Sequence, residues 1–174
     1  MSKPASSSAA LPIAYLTLRI LIIVNWLGGA AILALLIVMP NEQWIMAAFK
    51  LSPSPEAERL VMGLRVIAVL GLAVIPLNYI VLKRLLAIVK RVRAGDPFVA
   101  ENANRLQVIA WMLLALNVVS IVIGAIAFTV STKAYPVRMA GFSINGWLAV
   151  LLTFVLARVF AEGALMREDL EGTV

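Results

Sequence analysis

The sequence contains no cysteine and no histidine. Without cysteine there is no disulfide, no thiol nucleophile and no cysteine-ligated iron–sulfur cluster. Without histidine, the chain lacks the residue that holds most protein-bound zinc, copper and haem and that acts as the base in most catalytic triads. We therefore expect no bound metal, no cofactor and no catalytic residue, and we expect that the protein is not an enzyme.

Charged residues are scarce, and apolar residues are abundant. Asp, Glu, Lys and Arg make up 14% of the chain, hydrophobic residues make up 63%, and the mean hydropathy is +0.99. A soluble domain is about one quarter charged and about half apolar, so this composition predicts an integral membrane protein. The net charge of +6 indicates basic loops beside the membrane. We expect no direct binding of nucleic acid.

Four segments are long and apolar enough to cross a bilayer, which takes about 20 residues of helix. They cover residues 20–39, 62–82, 106–130 and 144–161. The predicted fold class is all-α, an integral membrane four-helix up-down bundle, because short connections make consecutive spans antiparallel neighbours. Residues 13–161 form this four-span domain. The low-complexity residues 1–12 are predicted to be a disordered tail, and residues 162–174 an acidic tail.

The distribution of Lys and Arg predicts the orientation. The connection between spans two and three carries six cations, whereas the first and third connections carry two each. The six are Lys83, Arg84, Lys90, Arg91, Arg93 and Arg105. Because cytoplasmic loops are enriched in Lys and Arg, we expect this connection, and both termini with it, to be cytoplasmic.

The middle connection, residues 83–105, is predicted to be a cytoplasmic helical hairpin, since its leucines and valines repeat at helical spacing opposite the cations. Gly95 is placed to end the first helix, and Asp96 with Pro97 to cap and start the second. These three residues are the predicted structural turn. We expect Gly95 to need a positive φ.

Polar residues within the spans are interpreted as contacts between helices. Asn25 and Asn78 lie at a similar depth in spans one and two and can meet, while Asn117 and Ser120 in span three are expected to face the bundle interior. A ligand site is the alternative. Pro76 predicts a helix kink, either static or acting as a hinge.

Two segments on the cytoplasmic side are candidates for binding. The basic stretch 83–93 can lie on anionic lipid or serve as a docking surface. The acidic tail can fold onto the basic loop or present a patch for a protein. We predict Phe98 as an apolar anchor for a protein partner. The predicted charged rim is Arg91, Arg93, Glu101, Glu168 and Asp169.

The segment LKRLLAIVKRVRAGDPFVAENANRLQVIAW resembles the hallmark of a bacterial family, domain of unknown function 2975. The matching positions are Gly95, Pro97, Phe98, Glu101, Asn102, Arg105 and Leu106. The end of the chain is similar as well, at Phe160, Gly163, Glu168, Asp169, Thr173 and Val174. The resemblance covers most of the chain through four spans of similar spacing.

This resemblance implies a small multi-pass protein of the bacterial cytoplasmic (inner) membrane, with no defined biochemical activity and often encoded beside a small helix-turn-helix transcription regulator. Besides the lipid bilayer, that regulator is the expected partner, which the protein tethers or regulates. The alternative is a component of a small-molecule or ion transporter or channel, for which Asn117 and Ser120 are the main polar candidates. A membrane enzyme would have only Asp96 and Glu101 to work with. A homo-oligomer is left open.

Overall fold

The computed structural model describes residues 7–38, 45–47, 52–132, 136–137 and 141–171. These residues contain four long helices and no strand: α1 Ser7–Val38, α2 Pro55–Arg93, α3 Ala100–Val130 and α4 Ile144–Glu171. Each of the four is long and apolar enough to cross a membrane. The all-α class and the four apolar helices are thus confirmed, and the chain is that of a multi-pass membrane protein.

The helices pack side by side in chain order. Helix α1 contacts α2, α2 contacts α3 and α3 contacts α4, and within the described ranges no other pair of helices is in contact. Helices α1 and α2 are antiparallel, since Tyr15 lies beside Arg93, whereas Ile32 lies beside Gly71. For α2 and α3, Gly63 near the start of α2 packs against Val130 at the end of α3. For α3 and α4, Gly146 at the start of α4 lies against Asn117, whereas Phe160 lies against Phe98 just before α3. The up-down arrangement is therefore an open row, with α1 and α4 at its edges.

One buried cluster lies near the hairpin, where α3 packs between α2 and α4. Its buried residues are Val81, Leu106, Ile109 and Ala157. Elsewhere large apolar side chains are exposed, among them Leu27 at 64% and Phe128 at 82%. Water would penalise such exposure, but lipid chains are as apolar as leucine. The exposed surface of the row therefore suits a bilayer.

Helix α2 begins with a set of local signals. The Ser54 hydroxyl accepts a hydrogen bond from the Ala57 backbone N–H at 3.2 Å, and Pro55 occupies the first helical position. Glu56 and Glu58 lie in the first turn, where their charge suits the positive end of the helix dipole. With 39 residues, α2 is about 58 Å long. It therefore extends well beyond the hydrocarbon core, which is about 30 Å thick.

Two predicted tails are partly helical. The disordered tail was expected to end at residue 12, but α1 begins at Ser7 and includes Pro12. The alanines before Pro12 favour helix, and the proline removes only one backbone hydrogen bond. In the predicted acidic tail, residues 162–171 form the last part of α4, because the segment contains mostly strong helix formers. Residues 1–6 and 172–174 lie outside the described residues.

Away from the hairpin, α3 is in close contact with the segment that leads into α4. A Cβ added to Gly124 of α3 would overlap the Cα of Gly141. Only glycine at position 124 allows two backbones to approach this closely.

Candidate functional site

The turn after α2 is closed by backbone hydrogen bonds. The Gly95 N–H donates to the carbonyl oxygen of Val92 at 3.1 Å, and the Asp96 N–H donates to that of Arg91 at 3.2 Å. These two bonds form a Schellman motif, which usually has glycine at its left-handed position. Gly95 takes that position with a φ of +89°. The helix therefore ends where the glycine permits the reversal.

Asp96 and Pro97 belong to the turn but do not start the next helix. Helix α3 begins at Ala100, and its N-cap, Val99, is extended and provides no side-chain hydrogen bond. The predicted capping role of Asp96 was therefore wrong. Pro97 disfavours helical backbone at the preceding residue, and the Asp96 carboxylate instead accepts a hydrogen bond from Arg167 of α4.

Asn102 fastens the turn to α3. Its side chain is fully buried. The amide Nδ2 donates to the Pro97 carbonyl oxygen at 2.9 Å, and Oδ1 accepts from Arg105 Nη1 at 2.8 Å. An unpaired buried amide costs about 1 to 3 kcal/mol. The two hydrogen bonds remove that cost and fix the path of residues 97–102.

A chain of ion pairs joins the end of α2 to the start of α3. Glu101 Oε2 lies 3.2 Å from Arg91 Nη2, and Glu101 Oε1 pairs with Arg105 Nη2. The Arg105 side chain is only 12% exposed. Because it bonds both Asn102 and Glu101, Arg105 links the ion pairs to the buried amide.

The end of α4 packs against the turn from the other side. The rings of Phe98 and Phe160 are 5.1 Å apart between centroids. A Cβ at Gly163 would lie 3.0 Å from Phe98 Cδ1, so the small residue makes room for the ring. Arg167 pairs with Asp96. We call residues 91–105 together with 160–170 the hairpin end.

The hairpin end leaves an exposed, mixed surface. A shallow pocket of about 200 Å³ lies between the turn and α4, and its lining includes Phe98 and Glu168. On other sides of the same turns of α4, Leu165, Met166 and Leu170 are 61%, 66% and 72% exposed. Helix α4 has 28 residues and is about 42 Å long, which exceeds the thickness of the hydrocarbon core, about 30 Å. Apolar patches that are exposed to water mark interaction surfaces.

A family model described as "Protein of unknown function (DUF2975)" matches residues 45–174, which include α2, α3, α4 and the whole hairpin end. The chain belongs to this family. The resemblance seen in the sequence is thereby confirmed. No curated protein and no solved structure matches the chain.

In this DUF2975 protein, the predicted partner-binding residues separate into groups. Phe98 and Glu168 line the same pocket. Arg91 and Glu101 pair with each other. The Arg93 guanidinium lies 5.4 Å from the Tyr15 ring, toward α1, and Asp169 is exposed on the last turns of α4. The pocket therefore collects two of the six predicted residues.

The predicted intramembrane polar residues do not converge on one point. Asn25 Nδ2 donates at 3.1 Å to the carbonyl oxygen of Ile75, the residue before Pro76, rather than to Asn78. Asn117 Nδ2 donates at 2.9 Å to Leu113 in its own helix, and its amide lies against the backbone of Gly146. The Asn25 amide thus joins α1 to α2, whereas the Asn117 amide bonds within α3 and only contacts α4. Ser120 is half-buried on α3, and Asn78 and the exposed Pro76 lie within the continuous helix α2.

Sequence reasoning missed several residues of the site. The role of Asn102 had a signal, since an amide at the spacing of Leu106 and Ile109 falls on the buried face of α3. No sequence signal pointed to Tyr15, because the cations around its ring come from the next turn of α1 and from α2. Its ring centroid lies 5.0 Å from Arg19, 5.4 Å from Arg93 and 6.0 Å from Lys90. Such cation–π contacts tie the ends of α1 and α2 together.

Proposed function

We propose that this DUF2975 protein is a non-enzymatic membrane protein whose hairpin end binds a small cytoplasmic protein. The supporting observation is the exposed pocket at Phe98, which lies against a stretch of α4 that also exposes the apolar side chains of Leu165, Met166 and Leu170. In this proposal the protein lies in the bacterial inner membrane with both termini and the hairpin end in the cytoplasm.

The rigidity of the hairpin end supports a binding role. Asn102, the Schellman turn at Gly95 and the Asp96–Arg167 pair hold the backbone around Phe98 in one arrangement. A surface ordered before binding loses less conformational entropy when a partner docks. Rigid aromatic anchors such as Phe98 bind most efficiently in this setting.

The proposed partner is the small helix-turn-helix transcription regulator that the family resemblance implies as a gene neighbour. DNA-binding proteins are basic, and the exposed side chains of Glu168 and Asp169 give α4 a complementary acidic end. Tethering removes a regulator from DNA without a large interface, because it confines the regulator to the membrane surface. The DUF2975 protein itself does not bind nucleic acid in this scheme.

Capture by the protein in lipid nanodiscs tests this proposal. The regulator encoded beside the gene is added to immobilised wild-type protein and to the triple variant F98A/E168K/D169K. Because the variant loses the anchor and reverses two rim charges, we expect at least about tenfold weaker binding. Phe128→Ala is the control, since Phe128 is 82% exposed at the far end of α3. Equal capture by all three proteins would refute the proposal.

A further inference from the structure

A second surface feature shares no lining residue with the Phe98 pocket. A groove of about 510 Å³ runs between α2 and α3. Its lining is apolar at one end, with Ile80 and Met112, and basic at the other, with Lys83, Arg84 and Arg105. The groove therefore combines an apolar channel with a cationic mouth.

The charges of the groove favour an anion. Its lining holds three cations and one carboxylate, that of Glu101. Arg91 and Arg105 both pair with that carboxylate. Neither Lys83 nor Arg84 forms an ion pair with a carboxylate in the described part of the chain. The Lys83 ammonium lies 5.7 Å from the centroid of the Tyr79 ring, which holds it at the groove without neutralising it.

The position of the cations matches that of lipid phosphates. By the sequence, span two ends at residue 82 and span three begins at residue 106. Lys83, Arg84 and Arg105 therefore lie at the boundary between hydrocarbon and water, while Ile80 and Met112 lie toward the hydrocarbon. Basic pockets between membrane helices at this depth bind anionic lipid headgroups.

We propose that this groove binds one anionic glycerophospholipid. The phosphodiester contacts Lys83, Arg84 and the outer face of Arg105, and an acyl chain lies along Ile80 and Met112. A lipid fits better than a free phosphate because the apolar end of the groove continues directly from the basic end. The site is separate from the Phe98 pocket, so it does not depend on the protein partner proposed above.

Native mass spectrometry of the full-length protein in detergent, titrated with phosphatidylglycerol or phosphatidylcholine, tests this site. We expect phosphatidylglycerol to bind at least about tenfold more tightly than phosphatidylcholine. The double variant K83Q/R84Q should lose about 30-fold in affinity for phosphatidylglycerol, as expected for two cations at the membrane surface. The variant K83R/R84K keeps both charges and should retain binding.

The matched control is K90Q/R93Q, which removes two cations from the same helix outside the groove. We expect its affinity to stay within about threefold of wild type, because these side chains lie beside Tyr15. Equal losses in both neutralised variants would overturn the proposal in favour of general surface attraction. Unchanged binding by K83Q/R84Q would also overturn it. Displacement of the lipid by equimolar glycerol phosphate would overturn it as well, in favour of a soluble phosphate.

Discussion

Single polar side chains determine the shape of the hairpin end. Asn102 is fully buried, and both ends of its amide are paired inside the protein. Gly95 provides the positive φ at which α2 stops. The role of Gly95 was predictable from the sequence, because a glycine after a long amphipathic run is a strong signal for the end of a helix. The ion pair between Asp96 and Arg167 was not predictable from the sequence, since the two residues are 71 positions apart.

Replacing Asn102 with leucine should destabilise the protein. The variant Asn102→Leu leaves the Pro97 carbonyl and one Arg105 N–H without their partner, so we expect the free energy of unfolding to fall by about 2 to 4 kcal/mol. Thermal unfolding in detergent, followed by circular dichroism, measures this. Asn104→Leu, at an exposed position of the same helix, should change it by less than about 0.5 kcal/mol. Equal effects would show that the buried amide has no special role.

A β-branched residue at position 95 should lower the free energy of unfolding. Gly95→Val forces an L side chain into the left-handed region, and we expect a loss of about 1 to 2 kcal/mol in unfolding free energy. The neighbouring Ala94 has a φ of −77°, so Ala94→Val should cost much less. The same melting experiment compares them. If the two variants melted together, the turn would not depend on the left-handed conformation.

The helices were predictable as elements, and so was the end of α2 at Gly95, but the start of α1, the end of α4 and the packing were not. Hydropathy indicates only the part of each helix that lies in lipid. It therefore did not predict that α1 begins at Ser7 or that α4 continues to Glu171. Helix propensity sets those ends instead. Each helix is apolar on most sides, so no stripe of the sequence indicates which neighbour it packs against. The open row of helices was therefore not predictable from the sequence and is seen only in the structure.

The contact between α3 and the start of α4 should depend on glycine. Gly124→Ala adds a methyl group that overlaps the backbone at Gly141, so the two segments must separate, and we expect a loss of about 1 to 3 kcal/mol. Gly28→Ala is the control, since a Cβ there meets nothing within 4 Å. Unfolding by denaturing detergent measures both variants. A stable Gly124→Ala protein would argue against this close approach.

The whole molecule is polarised between its two membrane faces. One face carries the hairpin end, the basic groove and the end of α4, while the other carries the last turns of α1 and α3. The sequence predicted this division from its loop charges. Which face meets the cytoplasm is a prediction, and the proposed cytoplasmic regulator depends on it.

Reporter fusions after Val174 test the orientation. Because the positive loop should stay inside, we expect a green fluorescent protein fused there to fluoresce and an alkaline phosphatase to be inactive. Fusions after Lys50, in the first connection, should behave in the opposite way. The reverse pattern at both positions would place the hairpin end outside the cell and exclude a cytoplasmic regulator as its partner.

The most direct measurement is cross-linking in living cells from the hairpin end. A photoreactive phenylalanine analogue replaces Met166, which is 66% exposed within the hairpin end, and in a second strain it replaces Phe128. We predict that irradiation joins the neighbouring helix-turn-helix regulator to the protein from position 166 and not from position 128. No regulator adduct at position 166, or equal adducts at both positions, would contradict the proposal that the hairpin end is its binding surface.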